Sequence, residues 1–197
     1  MPRKSEITRK TSETDIKIKL VLDSSEKSAI GSGVPFFDHM LDAMSRHGHF
    51  FVDLKCRGDT GLDDHHSVED VGICLGRAFK KALGDKAGIR RFGHAVVPMD
   101  DALSLTAVDL SGRSYFKYSG MDLYGTINQY DEELTVEFLK SFASNAEMNL
   151  HVMVLCGENR HHIHESIFKS LAAALYMAAS VIPEYENEVP STKGSVE

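Results

Sequence analysis

His65-His66-Ser67-Val68-Glu69 and His161-His162-Ile163-His164-Glu165 are two copies of one pattern, His-His-x-x-Glu, in a chain of 197 residues. On a helix, residues four apart share a face, and adjacent ones point about 100° apart. His65 and Glu69 can therefore grip one ion while His66 looks toward another. His161 with Glu165, and His162 beside them, repeat that arrangement. One such run can arise by chance, since imidazoles also cap helices and hydrogen-bond in cores. Two copies at matched positions point instead to a duplicated unit that builds a two-metal site.

The chain around the two runs reads as two halves, about 1–90 and 91–185, followed by a tail. In the first half, alternation of Ile16, Ile18, Leu20 and Leu22 marks a strand, with Glu13 ahead of it. Gly31-Ser32-Gly33-Val34-Pro35 breaks the chain before a helical run, Phe37 to Arg46. A strand over Phe50 to Lys55, a loop, and a helix from Ser67 to Leu83 follow. The second half predicts a strand over Ala102 to Leu110 behind Asp101, more sheet at Tyr115 to Tyr118 and a helix over Leu134 to Ala143. A strand over Asn149 to Leu155 and a helix over Ile163 to Ala179 complete it. The shared order is strand, helix, strand, His-His helix. Overlaying the halves pairs Glu137 with His39 and Asp101 with Glu13. Strands mixed with helices predict an α+β fold of sheets backed by helices.

Composition, 42% hydrophobic and 26% charged, is that of an ordinary globular chain. No apolar run is long enough for a bilayer, and residues 1–15 lack the apolar core of a signal peptide, so a cytoplasmic protein is expected, with no membrane partner. A net charge of −7 without a basic stripe argues against nucleic acid. Cys56, Cys74 and Cys156 have no C-x-x-C spacing, which argues against a disulfide framework or a structural zinc site.

The pooled candidate ligands are His39, His65, His66, Glu69, Glu137, His161, His162 and Glu165. Nitrogen and carboxylate donors without thiolate suit manganese, iron or cobalt with open positions; manganese is the expected working metal. Arg91 and Arg113 sit by turns where a guanidinium could clamp a phosphate, although solvated arginines are common there. Ser191, Thr192 and Lys193 could complete an anion site, but composition alone reads this tail as a frayed terminus. Glu13 and Asp101 are weak candidates alone, because polar residues often flank strands. His47 returns near the face of His39 and could reach a bound ligand. His49, His94, His151 and His164 are poorer candidates.

Together these residues resemble the imidazoleglycerol-phosphate dehydratase family of histidine biosynthesis, in its single-function form. The likeness rests on Phe37-Asp38-His39-Met40-Leu41, Asp63-Asp64-His65-His66-Ser67-Val68-Glu69-Asp70-Val71-Gly72, Arg91-Phe92-Gly93, Val97-Pro98-Met99-Asp100-Asp101-Ala102-Leu103, Asp109-Leu110-Ser111-Gly112-Arg113 and the second His-His run. It implies a duplicated βαβ-type fold like the second domain of ribosomal protein S5, with two sheets and helices between. It also implies two manganese ions per active site. His39, His66, His161 and Glu165 would hold one; His65, Glu69 and His162 would hold the other with a fourth ligand at Glu137, where some members carry His. Substrate roles are implied for Glu13, His47, Arg91, Arg113, Ser191, Thr192 and Lys193, beside the metal ligands His39, His65, His66, Glu69, His161 and Glu165. The family assembles as a homo-oligomer, a 24-mer of trimers with metal sites at subunit contacts.

The expected reaction is conversion of D-erythro-imidazoleglycerol phosphate to imidazoleacetol phosphate and water. The proton removed is not acidic, so the imidazole ring must serve as electron sink, passing through a manganese-bound imidazolate and a diazafulvene-like intermediate. Glu13 is the favoured acid/base and Asp101 the second candidate, with metal-bound water to protonate the leaving hydroxyl. Two rivals stand beside this reading. One is a two-metal phosphate-ester hydrolase, which could use the same ligands and arginines. The other is a non-enzyme, either a manganese store or an S5-like RNA-binding module, the latter disfavoured by the acidic charge.

Overall fold

The computed structural model describes residues 3–59, 63–185 and 188–191. The first half runs β1 (Lys4–Lys10), β2 (Thr14–Val21), β3 (Ala29–Gly31), α1 (Pro35–His47), β4 (Phe51–Gly58) and α2 (His65–Leu83). The second runs β5 (Phe92–Met99), β6 (Ala102–Asp109), β7 (Tyr115–Ser119), β8 (Thr126–Ile127), β9 (Tyr130–Asp131), α3 (Leu134–Ala146), β10 (Asn149–Cys156) and α4 (Arg160–Ala179). Without the small β8–β9 hairpin the two orders are identical. The sheets agree too, as β1-β2-β4-β3 and β5-β6-β10-β7. In each, the first three neighbours pair antiparallel and the last pair is parallel. The α+β duplication expected from the sequence is therefore present in full.

Alternation builds the sheets, but differently in each half. In β2, Ile16, Ile18 and Leu20 are buried toward the helices, while Asp15, Lys17 and Lys19 take the outer face. In β6 the small polar residues go inside. Ser104 and Thr106 are fully buried and pair with hydroxyls of α4, Ser166 at 2.6 Å and Ser170 at 2.8 Å. Leu103 and Leu105, whose alternation marks this strand in the sequence, face outward. The outer face of the second sheet is apolar as a result. Val96, Leu105 and Met153 are register neighbours across three strands, with Val96 52% and Met153 41% exposed.

The helices lie between the sheets and exchange partners: α1 packs with α4, and α2 with α3. A series of buried rings threads them, Phe50 to Phe79 to Phe142 to Phe138, and from there to Phe37 and Phe168, with centroids 5.0–5.9 Å apart. Gly72 and Gly76 let α2 approach α3 closely. A Cβ on Gly76 would meet the Phe142 carbonyl at 2.6 Å and the Ala146 nitrogen at 2.9 Å. No described helix is long and apolar enough to cross a membrane.

Two long strands have no counterpart in the sequence reading: residues 4–10 form β1, and residues 92–99 form β5. Both are edge strands. β1 turns only Ser5, Ile7 and Arg9 inward, too little apolar alternation to announce a strand. The tail is bonded to the body as far as Pro190: Gly88 N–H donates to the Glu188 carbonyl at 2.9 Å, and Arg91 Nη1 to that of Pro190 at 2.8 Å.

Helix propensity and packing make opposite predictions at Gly76. Alanine is the better helix former by about 1 kcal/mol, but its methyl would press on backbone atoms that cannot rotate away, at a cost of about 1–3 kcal/mol. Gly76→Ala is expected to lower the thermal unfolding midpoint; a raised midpoint would show that α2 and α3 do not approach this closely.

Candidate metal and substrate site

The exchange of helix partners decides which side chains meet. His39 on α1 comes against His161 and Glu165 on α4, and one ligand atom from each lies within 4.8 Å of the others. Among the described residues no other group of three such side chains is gathered that closely. His161 Nε2 is 3.3 Å from Glu165 Oε2, and the His39 and His161 rings are 5.5 Å apart. Lys169, one turn on, donates to Glu165 Oε1 at 2.8 Å. Burial would raise the Glu165 pKa, but the Lys169 hydrogen bond and charge outweigh it and hold the carboxyl below its ordinary value. The carboxylate is thus anionic, with Oε2 turned to the histidines.

The partner set is looser. His65 Nε2 and Glu69 Oε2 on α2 are 3.7 Å apart. Glu137 stands on α3, the helix that packs on α2, as His39 stands on the helix that packs on α4. It lines the same cleft as His65, together with Tyr118, Asp122 and Tyr124. Its Oε2 accepts from Lys140 at 3.2 Å.

The second histidine of each pair points elsewhere. His66 Nδ1 meets Asp59 at 3.0 Å, and its Nε2 lies 3.9 Å from Glu13. His162 Nδ1 meets Asp101 at 2.5 Å, and its Nε2 lies 3.6 Å from Asp100. In both, a carboxylate fixes the proton on Nδ1 and leaves Nε2 as the available lone pair, the arrangement by which metal-binding histidines are oriented. Neither ring joins the His39–His161–Glu165 group.

Glu13 and Asp101 occupy equivalent hairpin turns, each just ahead of the second strand of its half, as the overlay predicts. Their surroundings differ. Asp101 accepts backbone N–H groups of Asn159 at 2.8 Å and Glu158 at 2.6 Å besides His162. These bonds, Asn159 first, hold its carboxyl far below the usual carboxylate range. Glu13 is exposed, its carboxylate receives no such bonds among the described residues, and its turn is braced from below. Buried Asp70 of α2 accepts from Thr14 Oγ1 at 2.5 Å and from Arg9.

Arg91 is committed to Asp109, at 2.8 and 3.3 Å, and to the Pro190 carbonyl, which brings Ser191 beside it. Arg113 is exposed at the turn after β6. His47 sits at the end of α1, within electrostatic reach of Lys169 and Glu165. Burial first, and then Lys169, lowers its pKa. Thr192 and Lys193 lie outside the described residues.

Sequence reading missed Asp59, Asp70 and Lys169. Only Lys169 carried a local signal, its i+4 spacing from Glu165; the other two act across long sequence separations.

A profile of the imidazoleglycerol-phosphate dehydratase family matches residues 32–175. The imidazoleglycerol-phosphate dehydratase of Leptospira biflexa is 54% identical over 190 residues, 96% of each chain. That of Desulforudis audaxviator is 50% identical over 194 residues, 98% of each. Among solved structures, the enzyme from Staphylococcus aureus superposes with a TM-score of 0.82 at 31% identity, covering 91% of this chain and 99% of that one. The enzyme from Pyrococcus furiosus, in complex with (S)-C348, gives 0.82 at 34% identity, covering 96% and 99%. With fold, sequence and motif order in agreement over nearly its whole length, the chain belongs to the imidazoleglycerol-phosphate dehydratase family.

Proposed function

We propose that this chain, a hydro-lyase by family, dehydrates D-erythro-imidazoleglycerol phosphate to imidazoleacetol phosphate in histidine biosynthesis, with two manganese ions per active site. The observation that carries the metal reading is the trio His39, His161 and Glu165, drawn from both halves to within 4.8 Å. Two imidazoles and a carboxylate without thiolate fit manganese, with positions left open. His65, Glu69 and Glu137 form the equivalent set. His66 and His162, each held at Nδ1 by a carboxylate and standing apart from its own chain's trio, are suited to complete the shells of neighbouring copies. Bound there, the ions would supply Lewis-acid stabilisation to a substrate ring that has lost its proton.

The protein's own groups do the rest. Glu13, exposed beside His66 on a turn anchored through Asp70, takes the proton from the carbon bearing the middle hydroxyl. The hydroxyl next to the ring leaves as water, and the enol that remains becomes the ketone. Asp101 is a poor proton acceptor because its carboxylate is already stabilised by three donors; its part is to hold His162 and the start of α4. Arg113 and the tail residues Ser191, Thr192 and Lys193 take the phosphate. Arg91, tied to Asp109 and Pro190, delivers the tail to it. Holding both ends of the substrate lowers the entropic cost of alignment.

The assembly is a homo-oligomer in which other copies cover the outer face of the second sheet. Sheet one, with the same topology, turns Lys17, Lys19 and Lys55 outward, so the fold does not require an apolar outer face. The row Val96, Leu105 and Met153 is apolar for a partner. A cytoplasmic setting suits the three free thiols of Cys56, Cys74 and Cys156.

Chelator-stripped protein is expected to form imidazoleacetol phosphate only when manganese is restored; no product from folded, metal-loaded protein would overturn the assignment. Glu13→Gln should keep metal and assembly but lose about 10²- to 10⁴-fold in kcat; normal turnover would remove Glu13 from the chemistry. Leu105→Lys should reduce the mass measured by light scattering to that of a smaller species, and an unchanged mass would free this face from the interface.

A further inference from the structure

One buried polar cluster takes no part in the chemistry above. His164 is wholly buried, as are Thr135 and, within 2% exposure, Glu132 and Tyr130. His164 Nδ1 is 2.8 Å from Thr135 Oγ1, and Nε2 is 3.1 Å from Glu132 Oε2. Glu132 in turn accepts from Arg160, at 2.7 Å from Nε and 2.5 Å from Nη2. Tyr130 completes the line, its hydroxyl 2.9 Å from Thr135. The donors run one way. Glu132, already facing Arg160, accepts from Nε2–H, so Nδ1 accepts the Thr135 hydroxyl and Thr135 accepts that of Tyr130.

The fold has no need of a histidine here. The matching position of the first His-His run is Val68, fully buried and apolar. A buried polar group costs free energy unless every partner is supplied, and this cluster supplies all of them. Its placement gives the reason. Arg160 and His164 flank His161 on α4, and Thr135 stands two residues before Glu137 on α3. Phe36 of α1, three residues before His39, lies edge-on to His161 at 5.5 Å and to His164 at 5.7 Å, and 5.0 Å from Tyr130. Three helices that carry candidate ligands thus meet at one point.

We infer that His164, Glu132 and Arg160 form a positioning element that fixes the spacing of His39, His161 and Glu165 and ties it to Glu137, so that the ligands are arranged before an ion arrives. The inference rests on the metal reading above. Such outer contacts typically govern metal affinity by about 10- to 100-fold.

His164→Val adopts the residue of the first half. It leaves Glu132 with Arg160 and Thr135 with Tyr130, so no buried group loses its last partner. Manganese titration of stripped protein by calorimetry should show binding weakened by about 10- to 100-fold, with the metal-free unfolding midpoint little changed. His164→Gln, whose side-chain amide can still donate to Glu132, should recover much of that loss. A lowered midpoint with wild-type affinity would make the cluster merely structural and overturn the inference. Should His164→Val fail to fold, Glu132→Gln is expected to weaken manganese binding in the same range, and wild-type affinity there would overturn it equally. If the wild-type protein takes up no manganese, the metal reading falls and this inference with it; wild-type uptake with unaffected variants overturns this inference alone.

Discussion

The site depends on helices of one half packing against helices of the other. Neither His-His helix has all its candidate ligands in its own half: α4 meets His39 of α1, and α2 faces Glu137 on α3. What permits this is close packing. Glycines at 72 and 76 allow the α2 and α3 backbones to approach, and the line of phenylalanines joins all four helices in one core. Because the core is shared, the spacing of these candidate ligands inherits the stiffness of close-packed side chains.

Around the candidate ligands several carboxylates serve to orient other side chains. Asp59 and Asp101 each fix the Nδ1 of an imidazole, and Asp70 braces the turn that carries Glu13. Lys169 keeps one oxygen of Glu165 occupied. The two halves are topological copies with different internal chemistry. Val68 packs where His164 bonds, and Asp101 is saturated where Glu13 is open. Duplication supplies the frame, and departures from it separate the roles.

Much of this was legible in the sequence. The His-His-x-x-Glu spacing reports a shared helical face directly, and the internal overlay placed Glu137 and Asp101 without any distance. Strands β2, β4 and β10 announced themselves because their inner faces are apolar. β1 did not, since Ser5, Ile7 and Arg9 face inward at an edge. β6 was found for the wrong face: Ser104 and Thr106 can turn inward only because α4 offers Ser166 and Ser170, and no local signal shows that. The two His-His helices begin earlier than their apolar periodicity, where Asn159 accepts the His161 and His162 amides and Asp63 that of His65. His164 looked unpromising because its helical face differs from that of Glu165. That same displacement puts it in the interior, among partners distant in sequence.

The exchange of helix partners also bears on synthesis. On a ribosome the first half emerges with α1 and α2 backed by their own sheet but still lacking the helix surfaces they bury against, which lie on α4 and α3. A sheet-backed intermediate must then hold exposed phenylalanines until most of the second half has followed. Contacts so distant along the chain form late, and the waiting species is the one most open to aggregation. The same crossing that gathers His39, His161 and Glu165 therefore makes folding a property of the whole chain, with no early domain to shelter the His-His helices.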